Sequence, residues 1–307
     1  MGIITNPVLN VVCRPIIWAA KFVGRNFPET LVRIRYFVRF KKRLNLKSPK
    51  TLNEKILNLS LRSDTTEWTR LADKYAVRDY VEECGLSDIL VPLYGHWDSA
   101  QDIDFDSLPQ QFVMKTTHGC GDVIVVKDKS QMDADFAKER MKEAISEVYG
   151  ALEGGKHYMR IKPAIIAEKL LENDEDSLKH SATLIDYKIW CFNGKPQYIM
   201  TCTNRKGNLV ELQLYDTNWH MQESYINSSL HYPAGLFIPQ PKNFENLLQY
   251  AEILAKPFPV VRVDLYDIDG KIYFGEMTFT SLGGLMDYYT EEFQLLSGSM
   301  IDLNYKG

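Results

Sequence analysis

Residues 262–278 read Arg262-Val263-Asp264-Leu265-Tyr266-Asp267-Ile268-Asp269-Gly270-Lys271-Ile272-Tyr273-Phe274-Gly275-Glu276-Met277-Thr278, and this stretch decides the fold. Asp269-Gly270 supplies the two left-handed positions of a tight turn, and the flanking runs are rich in β-branched and aromatic residues. The pattern predicts a hairpin with strands near 260–266 and 272–279. In it Asp264 and Glu276 come close to opposite each other on paired strands. Two carboxylates at that distance repel unless a cation lies between them. Mg²⁺ suits such a pair, because it takes few carboxylates and completes its shell with water and nucleotide phosphate. Arg262, two residues before Asp264, points to the same strand face. The ordinary alternative is an exposed pair on an open sheet face. Val260, Val261, Val263, Ile272 and Phe274 favour a half-buried strand instead, where an unpaired carboxylate costs too much.

Working outward, Asn193-Gly194 marks a second hairpin between 182–192 and 195–201. Further upstream, two β-rich runs, 111–115 and 123–127, flank Thr116-Thr117-His118-Gly119-Cys120-Gly121-Asp122. A strand follows these glycines, whereas a dinucleotide-binding loop needs a helix there. No G-x-x-x-x-G-K-[ST] sequence is present, so a P-loop is excluded. A Gly-containing loop between antiparallel strands can close its N–H groups over phosphate. Lys115 enters this loop and Lys127 leaves it. A solvated turn is the commoner meaning of such a hairpin taken alone. A strand at 164–167 leads into Glu168-Lys169-Leu170-Leu171, which could offer backbone groups to a base edge or be an ordinary strand terminus. Helices are expected at 51–61, opened by a Thr51/Glu54 capping box, at 67–84, at 133–149 and at 243–256. A strand is expected at 89–94, and a short helix and turn at 98–109. The sum is an α+β protein with antiparallel hairpins.

Hydrophobic residues make up 45% of the 307 and charged residues 25%, a balance that excludes a disordered or fibrous chain. The net charge of −4 argues against a general nucleic-acid binder. It hides an asymmetry: residues 1–50 hold eleven Lys/Arg and one acid, Glu29, while the remaining 257 carry 25 basic and 39 acidic residues. A basic amphipathic arm over residues 7–43 can lie on an anionic membrane surface or pack on the body with a solvated basic face. Five cysteines without C-x-x-C spacing fit a reducing compartment rather than disulfides or structural zinc. The opening MGIITN lacks the myristoylation pattern, and the apolar start lacks a basic n-region. The expected location is cytoplasmic, with peripheral contact at the inner face of the plasma membrane through residues 1–43.

Together these features resemble the ATP-grasp fold, in which two α+β subdomains grip ATP, and more narrowly the TupA-like ATP-grasp family of bacterial surface-polysaccharide loci. The resemblance rests on Phe40–Lys55, Asp73-Lys-Tyr-Ala-Val-Arg78, Tyr94-Gly-His-Trp-Asp98, Phe105-Asp-Ser-Leu-Pro109 and Lys115–Gly121. It continues through Asp186-Tyr-Lys-Ile-Trp-Cys-Phe-Asn-Gly194, Arg262-Val-Asp264 and Phe274-Gly-Glu276-Met-Thr-Phe279. It implies four parts: a basic N-terminal arm at 1–50, an N-terminal helical subdomain at 51–108, a lid at 109–171 and a C-terminal subdomain at 172–307. It also implies that Lys74 and Lys115 contact ATP phosphates beneath the loop holding His118, Gly119 and Gly121. Lys127 and Lys188 belong to the same nucleotide set. Glu168, Lys169 and Leu171 would meet the adenine edge, and Asp186 the ribose or phosphate. Asp264, Glu276 and Thr278 would hold Mg²⁺, Thr278 standing where most ATP-grasp enzymes have Asn. Arg262 would stabilise the tetrahedral adduct. Asp122 stands where relatives tend to have Gly.

The activity so implied is an ATP- and Mg²⁺-dependent carboxylate–amine ligase working through an acyl phosphate. The resemblance suggests a uronic acid or other sugar of a cell-envelope or capsule glycan as acceptor. Three rivals remain at this stage. A glycosyltransferase would use Asp102-Ile-Asp104 or Asp267-Ile-Asp269 as a D-x-D site. A sugar kinase on the same scaffold would phosphorylate a hydroxyl, and a non-catalytic relative would only bind nucleotide. Regions 202–242 and 281–307 are expected on the acceptor side, where Arg205, Lys206, His220 and His231 form no assignable pattern.

Overall fold

Apolar residues recurring every three or four positions form ten helices among the described residues, most of them short. They are α1 (Pro7–Asn26), α2 (Pro28–Phe40), α3 (Leu52–Arg62), α4 (Thr66–Ala72), α5 (Val77–Glu83), α6 (Ala134–Ser146), α7 (Lys156–Met159), α8 (Glu175–Leu178), α9 (Phe244–Ala255) and α10 (Glu291–Met300). The strands are β1 (Leu93–Trp97), β2 (Phe112–Thr116), β3 (Val123–Val126), β4 (Ile165–Glu168), β5 (Asp186–Phe192), β6 (Lys195–Lys206), β7 (Leu209–Asp216), β8 (Val260–Ile268) and β9 (Lys271–Thr278). The computed structural model describes the backbone of residues 7–307 and the side chains of residues 15–307. The MGIITN reading, the side chains of Val8, Val11 and Val12, and Cys13 lie outside these.

The strands build two antiparallel sheets, one ordered β1-β4-β2-β3 and the other β7-β6-β5-β8-β9. The α+β architecture expected from the hairpins is thus what forms. Phe112, Met114, Ile165 and Ala167 of the smaller sheet pack with Met141 of α6. Alternation along each strand leaves the other face, with Lys115, Ile166 and Glu168, turned toward the larger sheet. The larger sheet packs Ile189, Cys191, Val261 and Val263 with Leu247, Ala251 and Leu254 of α9 in one core. A third cluster joins Val32 and Tyr36 of α2 to Leu44, Leu46, Leu57 and Leu285. Of the two meanings of a basic amphipathic arm, α2 therefore satisfies packing on the body along one face. Among the described residues no helix is long and apolar enough to cross a membrane.

Several boundaries differ from the sequence reading. The helix expected over 67–84 is two helices, α4 and α5, broken at Asp73. The Asp73 carboxylate accepts the N–H groups of Tyr75 (2.8 Å) and Ala76 (3.3 Å), and the Lys74 N–H donates to the Thr117 carbonyl at 3.0 Å. Such local side-chain bonds compete with the helical ladder. The strand expected at 89–94 starts at Leu93, after a single 3₁₀ turn at Ser87–Ile89. The helix expected to reach Tyr149 stops at Ser146, and the Glu147 carbonyl lies 3.0 Å from His118 Nε2. The first strand of the Asn-Gly hairpin begins at Asp186 rather than 182. Its partner runs on to Lys206 and pairs with β7, in a region that the sequence left unassigned.

Candidate active site

The site is built on one cross-strand row. Lys188 of β5 pairs with Asp264 of β8, and Asp264 pairs with Glu276 of β9. The next row carries Arg262 opposite Thr278. Residues directly opposite in a ladder share a face, so the rows gather cations and carboxylates on the face that looks toward the smaller sheet. Arg262 grips Asp264 with two bonds, Nε to Oδ1 at 2.7 Å and Nη2 to Oδ2 at 2.8 Å. The same Nη2 donates to Thr278 Oγ1 (3.0 Å) and reaches Glu276 Oε1 (3.3 Å). Lys188 Nζ also bonds Asp264. Thr278 Oγ1 donates to Glu276 Oε1 at 3.2 Å.

Electrostatics follow from this packing. Burial pushes the Asp264 carboxyl up, and Arg262 and Lys188 oppose it. Burial alone would lower Lys188 and Arg262, but the acids in contact with them, Asp186 and Asp264 on Lys188 and Asp264 on Arg262, hold both above their ordinary values. Burial would raise Glu276; Lys74, Lys188, Arg262 and the Thr278 hydrogen bond outweigh it and bring its carboxyl down to about 2. Desolvation lowers Lys74, with Glu276 acting in the other direction.

The smaller sheet and the α4–α5 break supply the opposite wall. Lys74 sits at the break, and its ammonium donates to the Gly119 carbonyl at 2.5 Å. Lys115 pairs with Glu168 at 2.5 Å, and Arg78 of α5 reaches the same carboxylate at 3.3 Å while donating to the Val91 carbonyl at 3.0 Å. The Lys169 N–H is spent on the Pro92 carbonyl at 2.9 Å, and the half-buried Leu171 follows in the same hinge. His118 is buried, and desolvation lowers its pKa; its ring fixes the loop to Glu147. Gly121 has φ +92°, a left-handed position at the exposed tip of the loop. Asp122 faces Arg140 at 3.5 Å, so its charge is offset from outside the loop. Asp186 sits at the rim, 3.7 Å from Lys188 and 3.1 Å from Arg205.

Lys74, Lys115, Lys188, Arg262, Asp264, Glu276 and Thr278 are brought to one cleft. Lys127 is not among them: it lies at the end of β3 away from the loop, exposed and paired with Glu172 at 3.1 Å. The spacing Lys115…Lys127 put both at hairpin ends, but only Lys115 is at the loop end. Neither D-x-D candidate lies at the end of a parallel strand. Asp102 closes a 3₁₀ turn and Asp104 accepts the Asp106 N–H, while Asp267 and Asp269 serve the hairpin turn. His220 is bound to Asp216 at 3.2 Å. Two participants were not assigned from sequence. Arg78 stood in the quoted Asp73–Arg78 stretch and could have been found there. Ser281, whose Oγ accepts from Arg262 Nη1 at 2.6 Å and lies 3.2 Å from Tyr288 Oη, carried no signal.

Oxygen donors of this kind suit Mg²⁺. Among the described residues no three His, Cys, Asp or Glu side chains gather as an all-protein metal cage. Glu276 is partly exposed and the nearer to hand, because both Asp264 oxygens are engaged by Arg262 and Lys188.

A sequence model of the TupA-like ATP-grasp family matches residues 54–302. No curated protein matches the chain. Among solved structures, an L-amino acid ligase from Bacillus licheniformis superposes with a TM-score of 0.50 at 17% identity, covering 93% of this chain and 62% of that chain. A D-alanine–D-alanine ligase from Bacillus anthracis gives 0.45 at 15% identity, covering 76% of this chain and 64% of that chain. The chain thus spans less than two thirds of the length of either ligase. The family match and the first of these likenesses agree on the ATP-grasp fold.

Proposed function

We propose, on the premise that the chain belongs to the TupA-like ATP-grasp family, that it is an ATP- and Mg²⁺-dependent carboxylate–amine ligase. One observation carries this reading: Arg262 reaches Glu276 at 3.3 Å, and the charges of Lys74 and Lys188, from two other parts of the chain, act on the same carboxylate, with Lys115 acting on Lys74. So many cations around one carboxylate suit a polyphosphate and an anionic acceptor better than they suit a folded core.

In this reading ATP lies between the two sheets. Lys74, Lys115 and Lys188 meet its phosphates, and the loop with His118, Gly119 and Gly121 covers them. The Lys169 carbonyl and the Leu171 N–H meet the adenine edge. Glu168, held by Lys115 and Arg78, sets the hinge rather than touching the base, and Asp186 faces the ribose. Glu276 and Thr278 would hold Mg²⁺, joined by Asp264 once Arg262 and Lys188 turn to substrate. The ion would offset the charge gathered on the phosphates.

An acceptor carboxylate oxygen attacks the γ-phosphorus, the bond to ADP breaks, and an acyl phosphate forms. The amine nitrogen then attacks the acyl carbon, releasing inorganic phosphate and one proton as the amide forms. Arg262, oriented by Ser281, stabilises the oxyanion of the tetrahedral adduct. The acceptor in this reading is a uronic acid or other sugar acid of a bacterial surface polysaccharide and the amine an amino acid. Residues 1–43 would keep the protein peripheral at the inner face of an anionic plasma membrane.

Thermal stability with ATP and Mg²⁺, separately and together, tests the nucleotide site. A rise of several degrees that needs both and disappears in Glu276→Ala is expected, since a ligand bound only by the folded state stabilises it. No shift at saturating ATP would overturn the proposal. ADP release triggered by a sugar acid and an amino acid, with equal phosphate, tests the chemistry. ADP release without free phosphate would instead indicate a kinase.

A further inference from the structure

Helix α2 has two faces of different character. Its inward face holds the loop 279–290, the same loop whose Ser281 accepts from Arg262. Arg39 Nη2 donates to Asp287 Oδ1 at 2.7 Å, and a side chain at Gly283 would start 3.3 Å from Arg35 Nη1. Leu282, Gly283 and Gly284 are all left-handed, so this loop turns sharply directly beneath the helix.

The outward face is apolar and uncovered. Ile34, Phe37 and Val38 stand at i, i+3 and i+4, and are 54%, 54% and 60% exposed. Phe27, at the junction with α1, is 58% exposed, and α1 adds Trp18 and Phe22, stacked at 5.8 Å between ring centroids. Around them residues 15–50 carry ten Lys/Arg and a single acid, Glu29. Glu29 is itself consumed by Arg33 (2.8 Å) and Arg62 (2.9 Å).

We propose that the outward face of the α1–α2 hairpin seats on an anionic lipid bilayer, and that this seating clamps α2 over the 279–290 loop packed against its inward face. Trp and Phe within a field of Lys and Arg match an interface with apolar depth and anionic headgroups. A second copy does not match. A two-fold contact would bring the same cationic patch against itself. The rest of the chain, with 39 acidic against 25 basic residues beyond residue 50, is repelled by the same headgroups, so one orientation is favoured. The acceptor would then be met at the membrane interface, in its lipid-bound form. Only that last step rests on the ligase reading; the lipid contact needs no nucleotide.

The experiment is sedimentation with vesicles of phosphatidylcholine, with and without phosphatidylglycerol. Binding is expected to require phosphatidylglycerol and to weaken with salt. The double substitution Phe22→Glu and Phe37→Glu should lower partitioning about tenfold or more, while Phe37→Leu should leave it near wild type. Both variants should melt with the wild type, because half or more of each side chain is exposed. Hydrogen exchange in residues 279–290 should slow when phosphatidylglycerol vesicles are added. The proposal is overturned by absent vesicle binding, by undiminished binding of the double variant, or by a solution dimer that the same substitutions abolish. Unchanged exchange at 279–290 would overturn the clamping of α2 over the loop. ATP-dependent stabilisation of the same samples reports on the ligase reading separately.

Discussion

Glu276 faces Asp264 across the β8–β9 hairpin because β9 takes in one extra residue, Gly275, before it. Counted from the turn, Ile268 pairs with Lys271 and Leu265 with Phe274. A regular ladder would then set Asp264 against Gly275 and send the Glu276 side chain to the opposite face. The bulge restores the register that makes the site, and such bulges are common beside active sites. Glycine is required by closeness: a β-carbon at 275 would lie 2.9 Å from the Asp264 carbonyl oxygen. Gly275→Ala is expected to cost about 1–3 kcal/mol, as other overpacked positions do. It should also shrink the stabilisation by ATP and Mg²⁺. Urea denaturation checks the first effect and nucleotide-dependent melting the second; wild-type behaviour in both would show that the bulge does not set the register.

Glu168 is the hub between Lys115 and Arg78, whose side chains are 21% and 15% exposed against 8% for Glu168. Removing its charge leaves two cations half-buried without their acid. Glu168→Gln is therefore expected to destabilise the fold by about 2–3 kcal/mol, somewhat below a fully buried pair. Arg78→Ala should cost less, since Lys115 still holds Glu168. Guanidinium denaturation of both variants checks the order. The reverse order would make Arg78, not Glu168, the hub.

How much of this was legible depends on whether a signal was local. The hairpin at Asp269-Gly270, the Thr51/Glu54 capping box and the Asn193-Gly194 turn are fixed by neighbours in sequence, and each stands where its residues put it. The opposition of Asp264 and Glu276 followed from the turn to within one residue. The bulge that completes it needed Gly275 to be read as a close approach. The break at Asp73 was hidden because apolar residues continue in helical period on both sides, and the competing bonds come from one carboxylate. Lys127 looked equivalent to Lys115 because a sequence gives no direction along a hairpin. Ser281 could not be found at all: its place beside Arg262 is set by the left-handed run after it and by α2, nearly 250 residues upstream.

His157 makes the stability depend on pH. It is fully buried, with Nε2 3.4 Å from Thr280 Oγ1, Nδ1 without a hydrogen-bond partner and the Trp68 ring edge-on at 5.5 Å. Desolvation, helped by Arg160, lowers its pKa from 6.5 to about 3. A group depressed in the folded state binds fewer protons there than in the unfolded chain. The fold therefore keeps its full stability above about pH 6.5 and loses it as pH falls toward 3. From pH 7 to pH 5 this one histidine should remove about 2 kcal/mol. Urea titrations at both pH values on wild type and His157→Gln check it, the variant losing that much less on acidification. Equal losses would assign the pH dependence to other groups.

Glu276 behaves in the opposite sense. Its carboxyl is brought from 4.5 to about 2, burial being outweighed by Lys74, Lys188, Arg262 and the Thr278 hydroxyl. The stability so gained is complete above pH 4.5 and is lost only as pH falls through about 2. Glu276 thus stays charged throughout the range in which the protein could work, and nucleotide binding should show no titration of Glu276 between pH 8 and pH 5. Thr278→Val keeps the shape and removes the hydroxyl that bonds both Glu276 and Arg262. Losing a hydrogen bond to a charged group costs about 1.5–3 kcal/mol, so the affinity for ATP with Mg²⁺ should fall about tenfold or more. Calorimetric titration of ATP with Mg²⁺ from pH 8 to pH 5 would read this loss. If Thr278→Val binds like the wild type at every pH, the hydroxyl is a spacer and Lys74, Lys188 and Arg262 hold Glu276 in its charged form.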